Sequence, residues 1–218
     1  MSGESSKTRI ARRAAREVRD GYYVNLGIGI PTMIPAVLPE GMTVLFHSEN
    51  GILGMGPPPS PGEEDADLVD AGKRAITAVP GASYLCSDDS FALVRGGHLD
   101  LAILGAFQVS ERGDLANWSL PGRLTGIGGA MDLVAGTRRI VVTMEHTTRD
   151  GQPKILRECT YPLTGRRVVN LIITELATIE ITERGLLLKE IAPGVSVDEV
   201  QRATEAPLTV DRWLTLME

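Results

Sequence analysis

Few side chains in this sequence stand where covalent chemistry would need them, and the best placed is a glutamate. His47-Ser48-Glu49-Asn50-Gly51 ends an apolar run that reads as a strand and opens a glycine-rich stretch. In open α/β sheets, ligands bind at the carboxyl ends of the strands. A carboxylate there, beside glycines that permit close backbone approach, is placed to attack a substrate. The same residues also read as a polar strand end with a turn. The second constellation is Gly126-Ile127-Gly128-Gly129-Ala130-Met131-Asp132. Its glycines free backbone N–H groups at a helix start, where they could stabilise a carboxylate or a developing oxyanion. A tight strand-to-helix turn is the alternative. Gly27-Ile28-Gly29 begins like a dinucleotide fingerprint, but Thr32 stands at the third glycine position, so a nicotinamide site is not expected.

Other chemistries find little support. His47, His98 and His146 lie far apart, and no histidine or cysteine spacing suggests a metal. Neither a Gly-x-Ser-x-Gly elbow nor a phosphate-binding loop is found. Two cysteines, Cys86 and Cys159, make no disulfide framework and read as free thiols in a reducing, cytoplasmic compartment. The run Glu63, Glu64, Asp65, Asp67 reads as a solvated surface or a helix start, because it lacks the spacing of a calcium loop. A net charge of −6, a pI near 5.2 and 4% aromatic residues argue against a nucleic-acid partner. No apolar run approaches a membrane span. The N-terminus lacks the apolar stretch of a signal peptide, and Glu4, Glu17 and Asp20 among its arginines speak against a transit peptide.

The elements that must hold these residues follow from periodicity. With 218 residues and 43% hydrophobic content, the chain can build one domain over 1–218 with a substantial core. Ile10, Ala14 and Val18 mark an amphipathic helix over 7–20 whose arginines face solvent, closed by Gly21. Strands are expected at 22–28, 43–47, 99–104 and 139–144, with weaker ones at 75–79 and 83–86. Pro31 starts a short helix to about 38. Residues 51–63 form a long Gly/Pro loop, which is often a functional feature. A helix over 87–95 would be capped by Ser87 or Asp88, and a short one runs from Gly129 to Val134. Gly96-Gly97-His98 reads as a helix stop. Strands at 168–174, 177–182 and 185–191 then form a β-rich tail, and Ser196 with Glu199 makes a capping box for a last helix. The expected architecture is α/β: an open, mostly parallel sheet with helices on its faces and a β-rich C-terminal part.

At this point the sequence resembles a family, the B (β) subunits of the class I 3-oxoacid CoA-transferases. The resemblance is carried by Tyr23-Val-Asn-Leu-Gly-Ile-Gly-Ile-Pro-Thr32, Ser48-Glu-Asn-Gly51 with Leu53-Gly-Met-Gly-Pro57, and Asp70-Ala-Gly-Lys73. It continues through Arg95-Gly-Gly-His98, Gly113-Asp-Leu-Ala-Asn-Trp118, Gly128-Gly-Ala-Met-Asp-Leu133 and Met144-Glu-His146. It implies that Glu49 is the nucleophile of a ping-pong reaction through a glutamyl–CoA thioester. Coenzyme A would be a substrate, with no permanently bound cofactor and no metal. By the same matching, Gly27, Gly29 and Pro31 fall near the CoA site, and Asn50 and Gly51 shape the nucleophile turn. Gly129, beside Gly128, would present the N–H that binds the substrate oxygen. The partner would be an A (α) subunit, in an α2β2 heterotetramer. The chain departs from the family between Pro121-Gly122 and Gly128-Gly129, where one residue and a lysine are missing and Arg123 is the basic group left. Pro59–Asp65 and Glu158–Gly165 resemble the 3-oxoadipate branch, whereas Asn117–Gly122 looks more like the acetoacetate one. Transfer from succinyl-CoA to 3-oxoadipate is the favoured activity, with acetoacetate as the alternative acceptor. An acyl-CoA hydrolase and a non-enzymatic acyl-CoA-binding module are the rival classes.

Overall fold

The computed structural model of the chain describes residues 5–124 and 126–217, with backbone only for 123 and 124. Its centre is a ten-stranded sheet. We number its strands β1 (Tyr23–Leu26), β2 (Leu45–Ser48), β3 (Ile52–Met55), β4 (Ala78–Tyr84), β5 (Leu101–Gly105), β6 (Ile140–Thr143), β7 (Leu171–Ile173), β8 (Ala177–Thr182), β9 (Gly185–Ile191) and β10 (Leu208–Leu216). Their spatial order is β10-β9-β8-β7-β6-β5-β1-β2-β3-β4. The run β7-β6-β5-β1-β2 is parallel throughout. Antiparallel pairings extend it on both sides, and β9 and β10 pair in parallel at one edge.

The parallel centre is apolar because both of its faces are covered. Successive side chains of β5 alternate between two cores: Leu101 and Ile103 join one, Ala102 and Leu104 the other. The first core is closed by α1 (Ser6–Ala15) and a 3-10 helix over Ile30–Val37. The second is closed by α2 (Ser87–Arg95), α3 (Ala130–Gly136) and α4 (Val197–Ala203). Among the described residues, no helix is long and apolar enough to cross a membrane.

The connection order creates the crevice. From β1 the chain moves outward through β2, β3 and β4, then returns to β5 on the other side of β1 and continues to β6 and β7. The strand order therefore reverses between β1 and β5, and a crevice opens at their carboxyl ends.

Several expectations need correction. The loop expected over 51–63 begins as β3, which folds back on β2 as a hairpin. The two weak strands around 75–86 are one strand, β4, running through Pro80-Gly81 on the sheet edge, where proline is tolerated. α1 ends at Ala15 in tight turns from Glu17 and Val18, so Gly21 lies beyond its cap, in the turn into β1. Arg13 leaves the solvated face: it is buried and paired with Glu17 and with Glu190 of β9. The cap residue of α2 is Cys86, without a side-chain hydrogen bond, rather than Ser87 or Asp88. The segment after α4 is the edge strand β10, whose apolar pattern is broken by Asp211-Arg212. The capping box of Ser196 and Glu199 forms as read.

Candidate active site

Glu49 follows β2 directly, in a turn closed by the N–H of Gly51 donating to the carbonyl of Ser48 at 3.0 Å. Gly51 sits at φ +128°, and a Cβ there would lie 2.3 Å from the Leu85 carbonyl oxygen, so only glycine fits this corner. The Leu85 N–H in turn donates to the Gly51 carbonyl at 2.8 Å. A second loop staples the turn from outside. Asn50 Nδ2 donates to the Val69 carbonyl at 2.7 Å, and the Ala71 N–H donates to Ser48 Oγ at 2.9 Å.

The glutamate side chain is half-buried on the wall of a cleft of about 1280 Å³. This cleft lies over the carboxyl ends of β1, β2, β5 and β6, and Gly27, Ser48, Gly105 and Glu145 mark those ends on its wall. Asn25 of β1 stands opposite His47 of β2 in the parallel register. Its Nδ2 donates to Glu49 Oε2 at 3.1 Å and to the His47 carbonyl at 3.2 Å, and lies 3.2 Å from His47 Nδ1. Asn25 and His47 are 0% and 1% exposed. Burial pushes the His47 imidazole down to about 4, so it is neutral near pH 7. Because Nδ1 accepts from Asn25, the ring proton sits on Nε2 and donates to Ser90 Oγ at 2.9 Å.

Gly129 faces the glutamate from the α3 side. A Cβ on it would lie 3.2 Å from Glu49 Cγ and 2.8 Å from the Phe91 ring. The lack of a side chain is what lets this backbone pack close to the Glu49 side chain. An N–H beside a nucleophilic carboxylate can stabilise charge that develops on a substrate oxygen.

Of the residues singled out from the sequence, Glu49, Gly27, Gly128 and Gly129 share the cleft wall. Gly29, Pro31, Asn50 and Gly51 do not line it. Gly29 and Pro31 open the 3-10 helix, where the Gly29 carbonyl accepts from Thr32 Oγ1 at 2.7 Å. Asn50 and Gly51 belong to the turn that carries the glutamate. The side chain of Arg123 lies outside the described residues. The sequence reading missed Asn25, Ser90, Phe91 and Lys154. Asn25 had a signal, a polar residue inside an apolar strand. Lys154 is a cleft-wall cation whose ammonium pKa is lowered by burial and raised by Glu145 and Glu175.

Among the described residues, one cluster has the donor spacing of a metal site, the exposed Cys86, Asp88 and Asp89 at the start of α2, away from the cleft wall. Hydrogen bonds to Asp88 and Asp89 push the Cys86 thiol up to about 11, which makes it a poor thiolate ligand at neutral pH. Cys86 and Cys159 are both free.

Residues 7–203 match the family model described as "Coenzyme A transferase". The chain is 54% identical to the mouse mitochondrial succinyl-CoA:3-ketoacid coenzyme A transferase 2B, over 99% of its own length and 42% of that protein. It thus spans about two fifths of that relative. It is 50% identical to the B-type (β) subunit of the 3-oxoadipate CoA-transferase of Pseudomonas putida, covering 93% of this chain and 96% of that one. An acyl-CoA transferase (YdiF) from Escherichia coli O157:H7 superposes with a TM-score of 0.81 at 25% identity, covering 98% of this chain and 43% of that one.

Proposed function

The chain belongs to the coenzyme A transferase family, and from that premise we propose that it is the glutamate-bearing half of a 3-oxoacid CoA-transferase. The observation that carries this reading is Glu49 itself: a carboxylate at the carboxyl end of β2, held by the Asn25 amide and abutting the backbone of Gly129 in an open cleft. Relatives named as B-type subunits support an A-type partner, which we propose completes the site in an α2β2 assembly.

The chemistry we propose is covalent and ping-pong. The Glu49 carboxylate attacks the thioester carbonyl of succinyl-CoA, and the C–S bond breaks to give a mixed anhydride and CoA thiolate. The thiolate attacks the glutamyl carbonyl, releasing succinate and leaving a glutamyl–CoA thioester. The acceptor carboxylate then attacks that thioester, and the thiolate returns to the acyl carbon of the new anhydride, freeing Glu49. A carboxylate nucleophile needs no general base, which suits a site whose neighbouring imidazole is neutral and buried. In this reading the Gly129 N–H stabilises the oxyanion of each tetrahedral intermediate. Gly128, where a Cβ would meet nothing within 4 Å, leaves room on the cleft wall for the thioester arm, whereas Gly27 lets β1 pack closely on Leu104 of β5. For the acceptor we propose 3-oxoadipate on the segments Pro59–Asp65 and Glu158–Gly165. Another 3-ketoacid is the second reading, favoured by the 54% identity to the mouse relative.

The test is to isolate the complex of this chain with its A-type partner and treat it with succinyl-CoA without acceptor. Borohydride reduction and peptide mapping should then find the reduced residue at Glu49. An unmodified Glu49 in a complex shown to bind succinyl-CoA would overturn the covalent mechanism. Competition between 3-oxoadipate and acetoacetate then assigns the acceptor.

A further inference from the structure

We propose that the first turn of α2 is the positioning element of this site: Ser90 sets the Glu49 carboxylate through His47 and Asn25, and Phe91 sets the backbone at Gly129. The inference rests on the reading of Glu49 as nucleophile.

Two adjacent residues of one helical turn reach the two sides of the reacting centre. From Ser90 Oγ the chain of contacts runs 2.9 Å to His47 Nε2, 3.2 Å from His47 Nδ1 to Asn25 Nδ2, and 3.1 Å from Nδ2 to Glu49 Oε2. Ser90, His47 and Asn25 are 0%, 1% and 0% exposed, so water does not compete for these bonds. The chain also fixes direction. Glu49 Oε2 and the His47 carbonyl can only accept, so the Asn25 amide turns its NH2 toward them; His47 Nδ1 then accepts from the same NH2 and Nε2 donates to Ser90. Turning the amide over would set its oxygen against three acceptors. Asn25 Oδ1 is buried without a hydrogen-bond partner, a cost the site carries with the amide in this orientation.

Phe91 acts on the other side. Its ring fills the space where a Gly129 side chain would be, while Glu49 Cγ bounds the same space. The helix itself is anchored. Arg95 pairs with Asp132 of α3 at 2.7 Å, and the Val94 carbonyl lies so close to Gly136 that a Cβ there would be 2.2 Å away. The Leu85 N–H, just before the helix, holds the nucleophile turn at Gly51. The Glu49 carboxylate and the Gly129 backbone are thus referred to one rigid element. Misplacement of a reacting group by about 1 Å can cost on the order of a hundredfold in rate.

Steady-state kinetics of the complex with its A-type partner test this. Ser90→Ala is expected to lower kcat about tenfold while KM stays within about twofold, because the bond orients the nucleophile and does not touch substrate. His47→Leu should lower kcat at least as much, and Ser90→Ala should add nothing further in that background, since both break the same chain. His47→Gln, whose amide can accept from Asn25 and donate to Ser90, should restore most of the activity. Phe91→Leu acts through Gly129, so its loss should multiply with that of Ser90→Ala. The proposal is overturned if Ser90→Ala and His47→Leu leave kcat unchanged, or if their losses multiply. Glu49→Gln in the same assay separates the two ideas. Residual transfer by that variant sinks the nucleophile reading and this inference with it. Complete loss there, with Ser90→Ala fully active, sinks this inference alone.

Discussion

A methyl group on Gly129 would stand between the Phe91 ring and Glu49, 2.8 Å from one and 3.2 Å from the other. Gly129→Ala is therefore expected to cost about 1–3 kcal/mol by overpacking and to lower kcat further by pushing the N–H away from the carboxylate. Urea denaturation measures the first effect and initial rates the second; a variant with unchanged kcat would remove Gly129 from the reacting centre. Asn25→Leu keeps volume but removes the donor to Glu49 Oε2, and it leaves His47 Nδ1 unpaired. Its kcat should fall by about ten- to a hundredfold, on the scale expected for losing one aligned polar contact at a reacting group. Glu49 and Gly129 were legible in the sequence because each stands in a local signature, a polar strand end and a glycine-rich helix start. Asn25 and Ser90 were not, because their meaning lies in pairings that only the sheet register and the α2 docking create. Asn25 is opposite His47, and Ser90 meets that histidine across 43 positions.

The elements that carry the site were read with uneven success, and physics explains which. β1, β2, β5 and β6 are short apolar runs covered on both faces, so composition alone marks them. Ile103 of β5 is 0% exposed between α1 and the sheet, and Ile103→Ala should destabilise the chain by about 2–5 kcal/mol in urea unfolding. The edge strands β4 and β10 escaped a clean reading, because Pro80-Gly81 in one and Asp211-Arg212 in the other break the alternation that a half-buried strand would show. Arg13 shows the limit of helical periodicity. Its position looked solvated, yet β9 delivers Glu190 to it and α1 delivers Glu17. Burial lowers the guanidinium pKa, and the bonds to Glu190 and Glu17 raise it by more, so the charge persists inside. Arg13→Ala would remove the cation beside Glu190, which keeps the Thr178 hydroxyl, while Glu17 keeps its pair with Arg139. The expected loss is about 3 kcal/mol, the usual cost of breaking a buried pair by removing one partner. A loss below a few tenths would mean that water reaches Glu190 once the guanidinium is gone.

Across the whole molecule, two neutral histidines tie the fold to pH. His47 lies under the cleft, and His146 bridges Thr174 and Thr204, joining the end of β7 to the end of α4 at 2.9 and 2.8 Å. Burial brings both imidazoles down to about 4 from 6.5, helped at His146 by the charge of Lys154. The sign follows from proton counting. Above about pH 6.5 both rings are neutral folded or unfolded, and they contribute no pH dependence. Between about 6.5 and 4 the unfolded chain binds a proton at each ring and the folded chain does not, so stability falls as pH falls through that window. Each ring contributes up to about 1.4 kcal/mol per pH unit there. Urea midpoints measured from pH 7.5 to 4.5 should therefore decline most steeply below 6.5. His146→Gln, which cannot titrate, should flatten that decline between about 6.5 and 5.5, since one proton-linked ring is gone. An equal slope in the variant would show that His146 is protonated in the folded state, and the bridge from β7 to α4 would then need a charged ring between its two hydroxyls.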